Sequence, residues 1–221
     1  MNEAEKIEKL EAILARFLEP IKGIPFPIVI QSICKREVIK IDLQDKEDQN
    51  LIESLVKAAE TVGKKVRETP IIRPRPNEVG NDLEPFVARA VVDAGLKFEK
   101  PTSESGRGQG VGYPDLLIFD GAERPTYIEI KSYAEGSAHT TMRSFYLSPS
   151  SDPKVSLDAR HIVLGFGVTA EAIEGSRSSR YFATSFTLID IHGLECDVKY
   201  EFNSDNKRLY QDALVLAKGA C

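Results

Sequence analysis

Cysteine and histidine are scarce, three of each in 221 residues. Cys34, Cys196 and Cys221 are odd in number and widely spaced, which argues against a zinc site and against a secreted disulfide framework. His139, His161 and His192 are equally scattered, and none makes a metal-ligand pair, so structural or surface roles are expected of them. No stretch approaches the ~20 apolar residues that cross a bilayer, so no membrane association is expected. No apolar run follows a basic start, and the cytoplasm is the default location. The chain also lacks a net positive charge: its net charge is -5. Any contact with a polyanion must therefore come from local patches. The glycine-rich residues 105–112 lack the Gly-Lys-Ser/Thr ending of a phosphate-binding loop, so no nucleoside triphosphate partner is expected.

What the chain does contain is organised as alternating helical and extended patterns. Residues 2–18 place Ile7, Leu10, Leu14 and Phe17 at helical spacing between charged positions, an amphipathic helix that Pro20 ends. An apolar segment at 26–30 and a β-branched one at 38–43 follow. Leu51, Leu55, Ala59 and Val62 predict a second helix over 47–62, stopped by Gly63. Residues 64–76 are basic and proline-rich, with Lys64, Lys65, Arg67, Arg73 and Arg75 against Glu68. They read either as an arm touching a phosphate backbone or as a solvated connector. They also mark the expected boundary between an N-terminal helical and β segment, 1–75, and a core, 76–221.

Residues 112–119 and 126–131 are rich in apolar, β-branched and aromatic side chains. The six-residue connection between them carries Gly and Pro, so the unit reads as a β-hairpin. Pairing centred on Ala122 sets Phe119 against Pro125, Leu117 against Tyr127 and Asp115 against Glu129, with the last pair's side-chain carbons roughly 4.5–5.5 Å apart. Strand alternation turns Glu129 and Lys131 to one face and Ile128 and Ile130 to the other, buried one. Opposed carboxylates destabilise a sheet unless a cation compensates them. A hard divalent ion with waters completing its shell suits such a pair, and Lys131 adds positive charge beside it. The bland alternative is a surface hairpin with weakly paired charges.

Pro114-Asp115 and Glu129-Ile130-Lys131, thirteen residues apart, resemble the two halves of the PD-(D/E)XK motif of the metal-dependent nucleases that include most type II restriction endonucleases. The resemblance covers roughly residues 78–170. It implies an α/β fold with a central mixed β-sheet flanked by helices, here with an N-terminal helical segment. It also implies hydrolysis of double-stranded DNA with Mg2+, Asp115 and Glu129 holding the metal and Lys131 positioning or activating water. A glutamate from the preceding helix often joins such sites, and Glu84 is the candidate. Glu84 has a second reading as a capping-box partner of Asn81, with Pro85 in the first helical turn; Glu78, Glu99 and Glu104 are further candidates.

DNA contacts are expected from Arg107 and Gln109 in the glycine-rich loop, Arg143 in the Ser/Thr-rich segment 132–153, and Arg177 and Arg180 in the polar segment 175–180. Arginine is the commonest reader of guanine, while solvated loop remains the other reading of each. Residues 161–168 suit a central, doubly covered strand. Strands at 181–191 and 195–202 joined at His192-Gly193, then a helix over 206–218, complete the pattern. A single such site cuts one strand, so a homodimer reading a two-fold target is expected, with residues 2–18 a candidate interface. A structure-specific or repair nuclease, and a non-catalytic DNA-binding protein keeping the fold, are the competing functions.

Overall fold

The computed structural model describes residues 2–19, 21–75, 78–103, 105–106, 112–137, 140, 145–200, 204–209 and 211–214. The chain gathers into two units, one made of residues up to 24 and from 195 onward, the other of 25–194.

In the first unit, α1 (Glu3–Leu18) starts at Asn2, whose side chain accepts from the Glu5 amide while Glu5 returns a bond to the Asn2 amide. This reciprocal cap satisfies two donors that the first turn leaves without partners. The apolar stripe read from the sequence is present, and every residue of it is exposed. β1 (Ile24–Pro25) forms a two-stranded sheet with the equally short β8 described below.

The second unit is built on a six-stranded mixed sheet. Its helices are α2 (Phe26–Cys34), α3 (Lys46–Glu68) and α4 (Val79–Asp93). Its strands are β2 (Ile71–Arg73), β3 (Lys97–Glu99), β4 (Leu116–Phe119), β5 (Pro125–Ala134), β6 (Arg160–Ala172) and β7 (Ser179–Asp190). Across the sheet the order is β2-β7-β6-β5-β4-β3. Only β5 and β6 run parallel; the other neighbours are antiparallel. After β7 the chain continues into β8 (Glu195–Cys196) and the four-residue α5 (Asn206–Leu209) of the first unit.

The buried stripe of α3 (Leu51, Leu55, Ala59, Val62) and that of α4 (Val79, Leu83, Val87, Val91) pack on Ile128, Ile130, Ile162, Leu164 and Phe166 of the central strands, making one core. On the opposite face, Phe26 of α2 meets the rings of Tyr113, Phe145 and His161 edge to face. Residues 160–168 are all buried, as befits a central strand covered on both faces. The α/β class, the mixed sheet flanked by helices and the N-terminal helix are thus those expected.

Several element limits differ from expectation. Helix α3 runs past Gly63 to Glu68, because Val66 extends the buried stripe by one turn. That burial outweighs a glycine cost of about 1 kcal/mol. Residues 64–68 are therefore the last turn of a helix and 71–73 an edge strand on β7, rather than a continuous connector. Helix α4 starts at Val79, so Asn81 and Glu84 lie inside it and form no capping box, and Pro85 is an interior residue. Val79 and Leu83, both fully buried, anchor the turn before that proline. Residues 38–43 make only an isolated bridge, Val38 with Ala159. Strand structure after β7 stops at Cys196, matching the two-residue length of its partner β1. His192 and Gly193 sit in a 3-10 turn, Ile191–Gly193, capped by the Asp190 carboxylate. The last helix is shorter than expected, with a 3-10 turn at Asp212–Leu214 after it, and residues 215–218 lie outside the described residues.

Candidate active site

The site is assembled on the β4–β5 hairpin. Asp120 fixes its turn, accepting from the Ala122 and Arg124 amides at 3.0 Å each and from the Arg124 guanidinium. Arg124 in turn reaches Asp48 at the start of α3 at 3.1 Å, and Asp48 also pairs with Arg160 at 2.8 Å. With the turn held, the register is the one expected: Phe119 opposes Pro125 and Leu117 opposes Tyr127. The ladder ends at Leu116 opposite Ile128, so Asp115 stands one step beyond it. There Asp115 follows a cis Tyr113-Pro114 bond, donates its amide to the Ile128 carbonyl at 3.1 Å, and accepts the Ile130 amide on Oδ2 at 2.7 Å. The carboxylate is thus aimed by a backbone bond rather than by a ladder pair.

Ile128 and Ile130 enter the core, and the intervening alternation gives Tyr127, Glu129, Lys131 and Tyr133 to the opposite face. Glu129 is 5 % exposed, and its Oε1 accepts from the Lys131 ammonium at 2.6 Å. Its Oε2 is buried with no hydrogen-bond partner. Burial, reinforced by the charge of Asp115, pushes the Glu129 carboxyl up to about 7 despite Lys131 and Lys154 pulling it down. Removal from water outweighs the ion pair because the lysine side is the wetter one, 28 % against 6 % exposed. Burial also raises the Asp115 carboxyl against the opposing Ile130 amide, Lys131 and Lys154.

Glu84, released from any capping role, is half-buried on α4. Its carboxyl is raised by burial and by the charge of Asp115, and lowered by Lys154, Lys100 and Lys131. Helix α4 approaches β5 beside this point, where Gly80 lies against Ser132. Asp115, Glu129, Lys131 and Glu84 are therefore brought into one electrostatic neighbourhood. Among the described residues no three acidic, histidine or cysteine side chains gather closely enough to hold a metal ion by themselves. The partnerless Glu129 Oε2 beside a second carboxylate nonetheless fits a hard cation whose remaining ligands are water.

The structure adds Lys154, which in the sequence is merely one of the polar residues after the hairpin. It is 7 % exposed, and its ammonium donates to the Gly112 carbonyl at 2.6 Å and the Pro114 carbonyl at 3.2 Å. Burial lowers its pKa, while Asp115, Glu129 and Glu84 raise it. No local motif marks it, because its partners are forty residues away.

Arg107, Gln109 and Arg143 lie outside the described residues, as do Glu104 and His139. Arg177 and Arg180 are exposed at the far end of the β6–β7 hairpin. Arg180 pairs with Glu171, six residues beyond Gly165, the strand neighbour of Lys131. That separation is roughly 20 Å along the strand. Glu78 stands just before α4 without a side-chain capping bond and pairs with Arg75, and Glu99 pairs with Lys97.

His161 is fully buried, its Nδ1 2.6 Å from the Tyr113 hydroxyl and its ring stacked on that tyrosine. Tyr113 immediately precedes Pro114, so this structural histidine supports the turn that carries Asp115. Burial holds the Tyr113 phenol well above its ordinary value, with Glu129 adding to the effect.

Comparison with known proteins places the chain in a family. The family model described as the type II restriction enzyme MjaV family matches residues 20–213. A curated protein of Methanocaldococcus jannaschii, the type II restriction enzyme MjaV, is 33 % identical over 233 residues, covering 98 % of this chain and 97 % of that protein. The match runs through both halves of the hairpin, α4 and Lys154, and the chain belongs to the type II restriction enzyme MjaV family.

Proposed function

We propose that the protein is a magnesium-dependent endonuclease that hydrolyses the phosphodiester bonds of double-stranded DNA at a specific sequence. The observation that carries this reading is the carboxylate pair at the head of the hairpin. Asp115 is oriented by the Ile130 amide, and Glu129 is buried with one oxygen unpartnered and the other on Lys131. Asp115 and Glu129, with assistance from Glu84, would hold the metal. A bound magnesium ion lowers the pKa of its water and takes up charge from phosphate oxygens. The Lys131 ammonium, next to the same carboxylates and partly exposed, orients an incoming water and stabilises charge gathering on the phosphoryl group. Ile128 and Ile130 keep the hairpin immobile against the core, so the three groups are held before substrate arrives. Family membership supports the site-specific character. We place the activity in the cytoplasm; no helix among the described residues is long and apolar enough to cross a membrane.

The test is incubation of plasmid DNA with the purified protein and Mg2+. A ladder of discrete fragments is expected, whereas a smear or no cleavage overturns the reading. Asp115→Ala and Glu129→Ala should each abolish cutting while the protein stays folded. Lys131→Ala should lose orders of magnitude in rate while still binding metal.

A further inference from the structure

We propose that Lys154 is a positioning residue of this active site, forming with Asp152 a clamp on Ser105 and on the turn bearing Asp115. The inference rests on the catalytic reading above and names a group that neither the motif nor the family description assigns. Three observations carry it.

The first is the bonding of the ammonium. Lys154 donates to the carbonyls of Gly112 and Pro114, which lie on either side of Tyr113 and lead directly into Asp115. Gly112 itself has φ +95, a conformation that glycine adopts readily and side-chain-bearing residues rarely do, which turns the chain sharply into Tyr113 and Pro114. The second is its neighbour in sequence. The Asp152 carboxylate accepts the Ser105 hydroxyl and, at 3.4 Å, the Ser105 amide. One short segment ahead of β6, residues 152–154, thus holds both Ser105 and Gly112. The third is burial. A lysine 7 % exposed is costly unless its charge is compensated, and the compensation comes from Asp115, Glu129 and Glu84. The buried charge is thus tied both to the carbonyls it holds and to the carboxylates it faces.

Positioning and charge balance predict opposite signs. Removing the ammonium without disturbing Asp115 leaves the carboxylates more negative and strengthens cation binding. Removing the clamp lets the Asp115 turn wander and weakens it, since ligands must be held close to their productive geometry.

The experiment compares wild type with Lys154→Met, which keeps the apolar stem, and Lys154→Arg, which keeps the charge and the donors. Mn2+ binding to the DNA-free protein is measured by electron paramagnetic resonance, alongside kcat, the KM for plasmid DNA and the metal-free melting temperature. For Lys154→Met the expectation is Mn2+ affinity weakened about tenfold, kcat lowered about a hundredfold and KM within threefold. Lys154→Arg should recover most of both losses. Unchanged or tighter Mn2+ binding in Lys154→Met overturns the proposal, as does an arginine variant as impaired as the methionine one. If Lys154→Met does not fold, Lys154→Gln carries the same expectation for Mn2+ and the same overturning result. Glu129→Ala is the reference: if it cleaves like wild type, the catalytic reading fails, and if it is dead while Lys154→Met is normal, only the clamp fails.

Discussion

His161 is the residue whose surroundings most constrain its chemistry. Its ring is buried among Phe26, Tyr113 and Tyr127, with Nε2 lacking any partner. Burial lowers its pKa from 6.5 to about 3. The folded protein therefore refuses a proton that the unfolded chain accepts below pH 6.5. Stability contributed by the neutral ring is complete above that pH and is lost as pH falls toward 3. Between pH 7 and pH 5 the cost is about 2 kcal/mol, since each pH unit below 6.5 costs about 1.36 kcal/mol. Urea unfolding of wild type and His161→Gln at both pH values isolates this contribution, because other titrating groups cancel in the difference. Wild type should lose about 2 kcal/mol more than the variant on acidification; parallel losses would refute the assignment. Tyr113 connects this residue to Asp115, so the neutral ring supports the site without taking part in its chemistry.

At the scale of elements, helix α3 illustrates how tertiary burial overrides a local stop signal. Gly63 lies within it, and a Cβ built there meets nothing within 4 Å. Gly63→Ala should stabilise the protein by about 1 kcal/mol, the helix-propensity difference, without altering cleavage. Chemical denaturation measures it, and a destabilised variant would show that the residue is needed for a close approach. Helix α4 shows the reverse case. The Asn81 to Glu84 spacing suggests a cap, yet burial of Val79 and Leu83 starts the helix earlier and frees the Glu84 carboxylate for the site. Neither outcome is visible in the local pattern, because each depends on which neighbour the stripe packs against.

At the scale of the whole molecule, the remaining expectation is the homodimer. Ile7, Leu10, Ile13, Leu14, Phe17 and Leu18 of α1 are 42–60 % exposed, an apolar stripe of the kind that marks an interaction surface. We expect sedimentation at working concentration to give a dimer, and Leu10→Glu with Leu14→Glu to shift it toward monomer. Double-strand breaks should give way to nicks in that variant. A wild-type monomer, with and without cognate DNA, that still makes concerted double-strand breaks would refute the dimer.

The hairpin register, the inward Ile128 and Ile130 and the shared face of Glu129 and Lys131 follow from sequence alone, since strand alternation and a short turn leave one arrangement. The doubly covered strand at 161–168 was equally legible, because an unbroken apolar run has no solvent face to offer. Tertiary structure decided what depends on distant partners. It set Asp115 beyond the ladder on the Ile130 amide and, of the two readings of Glu84, removed the capping box and left its carboxyl in the field of Asp115. It also carried Lys154 across forty residues to the carbonyls of the Asp115 turn. Local patterns report periodicity and turn chemistry. The burial that raises Glu129 to about 7, and the contacts that aim its neighbours, arise only when β5 lies between β4 and β6 with α4 packed against it.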